Sequence, residues 1–211
     1  MLEKKKVAML AAELIGTAVL TLAVIGVQHS GIGYSFFVAL AAGAAVGALL
    51  LVFGAASGAQ LNPALTIGLW TARKVKTIPA ILYVAMQLLG GAVAFWLYNY
   101  LAKTHLQNIA GSYEVRVMLA EAVGVFIFVM AWMSAVAQGF QGLRLAVTVG
   151  GAFALAIIIA SVASLGLANP AIALGDHAWS WGTYAAGPVI GGIVGVNFYN
   201  LLFAAPAKAK K

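Results

Sequence analysis

Six long stretches of this chain are almost free of charged residues. They cover residues 7–28, 33–53, 78–102, 114–136, 143–163 and 182–205. An α-helix needs about 20 mostly apolar residues to cross the hydrocarbon core of a bilayer. The chain as a whole is 64% hydrophobic and 8% charged, whereas roughly a quarter of a soluble domain is charged. The sequence therefore predicts an all-α membrane protein with six transmembrane helices and lipid as its solvent.

Positive charges lie mostly at one set of ends of these stretches. If the N-terminus is cytoplasmic, only Lys103 and Arg116 lie outside. The basic residues that then lie inside are Lys4, Lys5, Lys6, Arg73, Lys74, Lys76, Arg144, Lys208, Lys210 and Lys211. Because loops rich in Lys and Arg stay in the cytoplasm, we expect a multi-pass protein of the cell membrane with both termini cytoplasmic. This placement explains the net charge of +7 without a nucleic-acid partner.

Two shorter apolar segments, 54–72 and 164–177, are interrupted by Gly, Asn and Pro. Each is too short to cross a membrane unaided. Irregular backbone at membrane depth persists only where protein or a water-filled cavity satisfies its polar groups. A pair of broken segments at corresponding positions points to a transport site. Each segment holds an Asn-Pro-Ala triplet, at 62–64 and 169–171, and we expect two re-entrant half-helices there.

The two halves of the chain share a fixed spacing between an acid and an asparagine. Glu13 precedes Asn62 by 49 residues, and Glu121 precedes Asn169 by 48. A lone Asn-Pro-Ala triplet is common and means little. Two triplets, each in a broken apolar segment and each at this distance from an acid within a span, predict an internal repeat.

Glycine pairs support the same repeat, because the third and sixth spans carry Gly-Gly at 90–91 and 191–192. Three spans per half is an odd number, so the halves must be inverted relative to each other. Their half-helices then enter from opposite sides and meet near the midplane. We predict one channel domain, 1–211, with inverted 3+3 repeats over approximately 7–105 and 114–205.

The triplets predict capped helix starts that carry hydrogen-bond donors. Pro63 and Pro170 suit the first helical turn, where a missing N–H costs nothing. Asn62 and Asn169 then act as N-caps through their carbonyl oxygens, which leaves their NH₂ groups free to donate into a lumen. Two helix N-termini also carry partial positive charge, so the pair favours a solute oxygen and disfavours cations. The plainer alternative is two helix caps without a pore.

Glu13 and Glu121 are the acids that lie inside the predicted spans, away from their ends. A carboxylate in a membrane is costly and usually functional. One role is a proton relay in a coupled carrier. The other is a structural acceptor, or a protonated donor, bonded to the irregular loop of the same half. Symmetric placement without a basic partner inside the membrane favours the structural role.

No constellation of residues points to catalysis. The chain has no cysteine, and its histidines, His29, His105 and His177, lack metal-ligand spacing. No paired catalytic carboxylates, nucleophile triad or phosphate loop occurs. We therefore expect neither an enzyme nor a protein with a metal or other cofactor.

The motifs at 11–17, 57–68 and 187–192 resemble those of the aquaporin, or major intrinsic protein, family, and bacterial water channels in particular. The resemblance covers essentially the whole chain. It implies a channel with a pore in each protomer, usually tetrameric, that conducts water or small uncharged solutes passively. It also implies that the two triplets, including Ala64 and Ala171, line the pore centre, and that the two membrane acids brace the loops.

The sequence departs from this family at its outer filter. Water channels of the family usually carry Arg directly after the second triplet, where this chain has Ile172. Counting from the asparagines, the resemblance places the other constriction positions at Ala42, Ile157 and Gly166, usually a large aromatic, a His and a small residue. The usual His before the first triplet is replaced by Gln60, on the cytoplasmic side of the pore.

An uncharged, apolar outer constriction is the expected result. Losing Arg removes a donor to the solute and a positive barrier to cations, and an apolar ring can gate by dewetting. Alternatively, another side chain fills the place or the alignment slips by one turn. The functional alternatives are a pore-closed structural or adhesive membrane protein, a broad facilitator for small neutral solutes such as glycerol or urea, and a proton-coupled carrier.

Overall fold

The computed structural model of the protein describes residues 2–109, 111–178 and 180–203. Its helices are α1 Leu2–Gln28, α2 Ser35–Ser57, α3 Pro63–Thr71, α4 Thr77–Ala102, α5 Val115–Ala137, α6 Gly142–Ala160, α7 Pro170–Gly175 and α8 Ala186–Leu202. A π-helical segment, Trp181–Ala185, leads directly into α8. Six helices of the described chain, counting this segment with α8, are long and apolar enough to span a membrane. The predicted all-α membrane class is confirmed.

Most helix ends lie within a few residues of the predicted ones. The largest difference is at α1, which begins at Leu2 instead of 7. Helix α2 continues through Gly54 to Ser57 instead of ending at 53. Gly58 ends α2 in a left-handed conformation, φ 86°, and donates its N–H to the carbonyl of Gly54, as a C-terminal glycine commonly does. The predicted end of the last span at 205 lies outside the described residues, as do Lys208, Lys210 and Lys211.

Each half-helix packs against the third spanning helix of the opposite half. Helix α3 packs on α8, and α7 packs on α4. A Cβ atom on Gly192 of α8 would overlap the carbonyl of Ala64 at the start of α3. A Cβ atom on Gly91 of α4 would overlap the carbonyl of Ala171 at the start of α7. Such close backbone approach requires residues without side chains, so these two glycines let the halves interlock.

The other glycine of each pair faces its own half. Gly90 lies against the carbonyl of Leu14 in α1, and Gly191 lies against the carbonyl of Ala122 in α5. Leu14 and Ala122 each directly follow the glutamate of their helix. Each Gly-Gly pair therefore packs two backbones at once, one from its own half and one from the opposite half-helix.

Aromatic side chains occupy the buried core beside the half-helices. The rings of Phe128 on α5 and Phe153 on α6 meet edge to face, with centroids 5.0 Å apart. Trp132 continues the group, 6.1 Å from Phe128. These three side chains are almost completely buried, in one apolar cluster with residues of α1, α2, α7 and α8. The centre of the bundle is thus filled by large side chains around the half-helices.

Candidate transport site

The two half-helices begin with the caps that the sequence predicts. The Oδ1 atom of Asn62 accepts the N–H of Ala64 at 2.9 Å. The Oδ1 atom of Asn169 accepts the N–H of Ala171, also at 2.9 Å. A proline follows each asparagine in the first helical turn. Both helix starts therefore use the same local geometry, and both are buried.

The asparagine amides also join the two halves to each other. Nδ2 of Asn62 donates to the carbonyl of Ala168 at 2.9 Å, and Nδ2 of Asn169 donates to the carbonyl of Leu61 at 2.8 Å. The expectation that both NH₂ groups are wholly free is therefore wrong. An amide nitrogen carries two N–H groups, so each asparagine retains one N–H beyond this cross-link. The two triplets are held together at the junction of the halves.

The loop before each asparagine contains left-handed residues at matching positions. Ala59 and Leu61 have φ of 48° and 52° before the first triplet, and Gly166 and Ala168 have φ of 68° and 50° before the second. A residue with a Cβ atom loses roughly 1–2 kcal/mol in this conformation. The backbone N–H groups of both loops turn inward as a result, and they need a buried acceptor.

Glu13 supplies that acceptor in the first half. Its Oε1 atom accepts the N–H of Gln60 at 3.0 Å, and its Oε2 atom accepts the N–H of Leu61 at 2.8 Å. The hydroxyl of Ser57 donates to Oε1 at 2.6 Å. The same hydroxyl oxygen accepts the N–H of Ala59 at 3.0 Å. The carboxylate thus receives the loop's inward N–H groups while it lies completely buried.

Glu121 makes the same contacts in the second half. Its oxygens accept the N–H groups of Leu167 at 3.0 Å and Ala168 at 2.6 Å. The hydroxyl of Ser164 donates to Oε1 at 2.7 Å. Sequence reasoning missed both serines, although Ser57 and Ser164 each lie five residues before the asparagine of their half. That repeated spacing could have identified them.

The first half has a further polar layer that the sequence did not predict. Gln87 on α4 donates from Nε2 to Glu13 at 2.8 Å and to the hydroxyl of Thr66 at 2.9 Å. Thr66 donates to the Oε1 atom of Gln60 at 2.7 Å. Gln60, predicted at the cytoplasmic side of the pore, is 8% exposed. The side-chain oxygen of Gln60 therefore already accepts a hydrogen bond within the protein.

The four predicted constriction positions are all buried. Ala42, Ile157 and Ile172 belong to one apolar cluster and each exposes 0% of its surface. Gly166 adjoins Ile157, because a Cβ atom there would lie 2.8 Å from the carbonyl oxygen of Ile157 and 3.3 Å from its Cγ2. These four positions are therefore packed inside the protein in this conformation.

Sequence reasoning also missed a buried acid at the C-terminal end of α7. Asp176 follows α7 directly and is 0% exposed. Its Oδ2 accepts the Nε2 of Gln28 at 2.6 Å, and its Oδ1 lies 2.7 Å from Nε2 of His29. Nδ1 of His177 lies 2.7 Å from the carbonyl of Leu106. Across the described residues, no group of three or more His, Cys, Asp or Glu could hold a metal ion.

Several known proteins are similar to this chain in sequence. The chain matches the family described as Major intrinsic protein over residues 2–199. It is 29% identical to Aquaporin AqpM of Methanothermobacter thermautotrophicus over 82% of this chain and 78% of that protein. It is 28% identical to Aquaporin Z of Photorhabdus laumondii over 92% of this chain and 97% of that protein.

A solved structure agrees with these matches. The X-ray structure of the aquaglyceroporin from Plasmodium falciparum superposes with a TM-score of 0.75, covering 93% of this chain and 96% of that one at 22% identity. At 22% identity, this likeness supports the fold alone. The family assignment rests on the sequence match over residues 2–199. The protein is an integral multi-pass membrane channel, not an enzyme, and it belongs to the major intrinsic protein family.

Proposed function

We propose that this protein conducts water and other small uncharged solutes through a pore within each chain. The observation that carries the proposal is the cross-linked pair of amides, Asn62 and Asn169, at the junction of two helix N-termini. Each amide retains one N–H that can donate to a solute oxygen. The positive ends of the two half-helices disfavour cations at the same place. The names of the relatives, which include aquaporins and an aquaglyceroporin, support this solute class.

Glu13 and Glu121 brace the loops that present these amides. Their partners on the loops and on α4 are all donors, so the carboxylates act as acceptors for inward-turned backbone. This arrangement counts against the proton-coupled carrier, in which an acid must exchange protons with the transport path. Solute flux that depends on a proton gradient would contradict the bracing role.

Ala42, Ile157, Gly166 and Ile172 form the selectivity constriction on the far side of the amides. The ring is apolar and has no arginine, so size and the cost of dehydration select the solute. Because these positions are buried in this conformation, conduction requires the ring to open to the solute. Gly166 is needed for its backbone as well as its size, because its φ is 68° and a Cβ atom there would meet the carbonyl of Ile157.

The basic end of the bundle, where α1 begins, faces the cytoplasm of the cell, and both termini lie there. The distribution of Lys and Arg between the two ends supports this orientation. The repeats 7–105 and 114–205 are the two inverted halves, supported by the matched contacts of the two glutamates and two asparagines. The functional unit is a homotetramer, as the family resemblance implies, with one pore in each chain.

Stopped-flow light scattering on proteoliposomes tests the channel directly. Vesicles that contain the protein should shrink faster than empty vesicles under an osmotic step, and should re-swell when a small polyol enters. Flux equal to that of empty vesicles, for water and for polyols such as glycerol, would refute the proposed function.

A substitution at the constriction tests its role. Ile172→Arg adds a guanidinium with several donors and a positive charge to an apolar ring. We expect the ratio of glycerol to water permeability to fall about tenfold, a barrier difference of about 1.4 kcal/mol. Ile172→Leu, which keeps the ring apolar at similar volume, serves as the control and should retain the wild-type ratio. Equal ratios for the arginine variant and the wild type would show that Ile172 does not set selectivity.

A second candidate is a structural or adhesive membrane protein whose pore stays closed. The complete burial of Ala42, Ile157 and Ile172 favours it. The two functions differ in one measurement, because a permanently closed protein gives no solute flux in any condition. Measured water flux above the vesicle background would exclude this candidate.

A further inference from the structure

An apolar groove lies between the half-helix α3 and the beginning of α4. Its volume is about 320 Å³, within the range of about 300–1,000 Å³ that holds small ligands. The groove opens outward, because Trp70 is 43% exposed and Ile81 is 63% exposed. The residues that line this α3–α4 groove are Ile67, Trp70, Thr77, Ala80, Ile81 and Val84. Most of these side chains are apolar, so the groove suits a hydrocarbon occupant.

A short basic loop, residues 72–76, lies at one end of this groove. It connects α3, which ends at Thr71, to α4, which begins at Thr77. The indole N–H of Trp70 donates to the hydroxyl of Thr77 at 3.1 Å. The backbone N–H of Arg73 donates to the carbonyl of Trp70 at 2.9 Å. Because Trp70 and Thr77 both line the groove, these bonds hold the loop beside it.

The basic loop carries three positive charges without a counter-ion from the protein. Arg73, Lys74 and Lys76 are all exposed. Among the residues that the structure describes, no carboxylate forms an ion pair with any of them. The proposed orientation places this end of the bundle at the cytoplasm, where anionic lipids give the membrane a negative surface potential. A cationic loop beside an apolar groove complements a molecule with an anionic head and a hydrocarbon tail.

We propose that the α3–α4 groove and the basic loop form a binding site for one anionic phospholipid. The phosphate lies among Arg73, Lys74 and Lys76, where hydrogen bonds are strengthened by charge, and one acyl chain fills the groove. Trp70 lies between the two, as tryptophan commonly does at the boundary of a bilayer. The lipid then connects the end of α3 with the start of α4. This site does not depend on the proposed channel function.

A second copy of this chain fits the groove less well than a lipid does. Helices associate closely in membranes through small residues that let their backbones approach. The α3–α4 groove is lined instead by the larger side chains of Ile67, Trp70, Ile81 and Val84, and its small residue, Ala80, is only 6% exposed. A flexible acyl chain can follow such an uneven surface more closely than a helix can.

Quenching of tryptophan fluorescence by lipids with brominated acyl chains measures the occupancy of the groove. The chain has five tryptophans, so the Trp70 signal is the difference between each protein and its Trp70→Phe partner. In proteoliposomes, brominated phosphatidylglycerol should quench this signal with a higher apparent affinity than brominated phosphatidylcholine with the same chains. Equal affinities for the two lipids would overturn the proposal.

Lys74→Gln/Lys76→Gln tests the headgroup contact. Each basic residue near an anionic surface contributes about a fivefold gain in affinity, so the two substitutions should lower the affinity for phosphatidylglycerol about 25-fold and leave that for phosphatidylcholine unchanged. Lys4→Gln/Lys5→Gln is the matched control, because it removes the same charge from two exposed lysines at the same end. It should keep the wild-type affinity at Trp70. An equal loss in both variants would indicate general attraction to the membrane surface and overturn the site.

Val84→Phe tests the hydrocarbon contact, because the larger ring would occupy the groove. It should lower the affinity of both lipids at Trp70 severalfold. Val93→Phe is its control, since Val93 also lies on α4 and is 38% exposed but does not line the groove. It should bind as the wild type does. If Val84→Phe kept the wild-type affinity and instead dissociated the oligomer in detergent, the groove would be a contact between copies and the proposal would be wrong.

Two further readouts separate the lipid from a free anion and from the channel function. Inorganic phosphate has the charged group but no chain, so it should not displace phosphatidylglycerol at the same concentration; displacement would overturn a role for the groove. Phosphatidylglycerol should raise the melting temperature in detergent, because it binds the folded state, and should do so less for Lys74→Gln/Lys76→Gln. Normal water flux without a lipid preference would refute the lipid site alone, whereas a preserved preference without flux would refute the channel function alone.

Discussion

Gly192→Ala is expected to lower the free energy of unfolding by about 3 kcal/mol or to prevent folding altogether, since overpacking a rigid contact costs this much. The added methyl group would overlap the carbonyl of Ala64, which is backbone at the start of α3. That backbone cannot retreat without moving Asn62, which caps the N–H of Ala64, and its bond to Ala168. Gly91→Ala should act in the same way on the start of α7, through the carbonyl of Ala171.

Gly151→Ala is the matched control for this test. Gly151 also lies within a spanning helix, α6, but a Cβ atom there meets nothing within 4 Å. Alanine favours a helix over glycine by up to about 1 kcal/mol, so this variant should be as stable as the wild type or slightly more stable. Thermal unfolding in detergent, followed by circular dichroism, compares the variants. Equal melting temperatures for Gly192→Ala and Gly151→Ala would contradict the interlocked packing.

Glu13→Gln is expected to destabilise the protein by about 3 kcal/mol, the cost of leaving buried donors without an acceptor. All contacts of this carboxylate come from donors, two on each oxygen. A glutamine has one acceptor oxygen, and its NH₂ group must face the N–H of either Gln60 or Leu61. The left-handed loop that presents Asn62 then loses part of its support, so water flux should fall together with stability.

Glu3→Gln provides the comparison for this substitution. Glu3 lies in the same helix but is exposed in its first turn, and exposed charges contribute little to stability. Its variant should unfold at the wild-type temperature. If Glu13→Gln also unfolded at that temperature and kept full water flux, Glu13 would not brace the loop.

The spans and half-helices follow from the sequence because membranes impose strict local rules. Length and apolar content predict the six spans. Proline after asparagine predicts where the half-helices begin, and the structure starts them at Pro63 and Pro170. Because the chain contains an internal repeat, a residue pattern found in one half can be compared with the same pattern in the other half. The positions of Glu13 and Glu121 within the site could be inferred for this reason, even though the donors that surround them could not all be named.

The rest depends on contacts between residues far apart in the chain. Gln28 and Asp176 are separated by 148 residues, and no periodicity links them. Gln87 was missed because the second half has Pro188 at the equivalent position of its Gly-Gly motif, so the repeat gave no signal. The complete burial of Ile157 and Ile172 is a matter of packing distances. A pattern of apolar residues is compatible with an open or a closed ring.

Helix α3 packs on α8, so the first half-helix is synthesised well before the helix against which it packs. The ribosome must add more than half of the chain after Ala64 before Gly192 exists, which takes on the order of ten seconds at typical elongation rates. During that interval Asn62 also lacks the carbonyl of Ala168. The N-terminal half therefore cannot complete its own share of the site while it is being made. A nascent chain that stops before α8 would leave the first triplet without the backbone against which it packs, whereas α4, the partner of α7, would already be present.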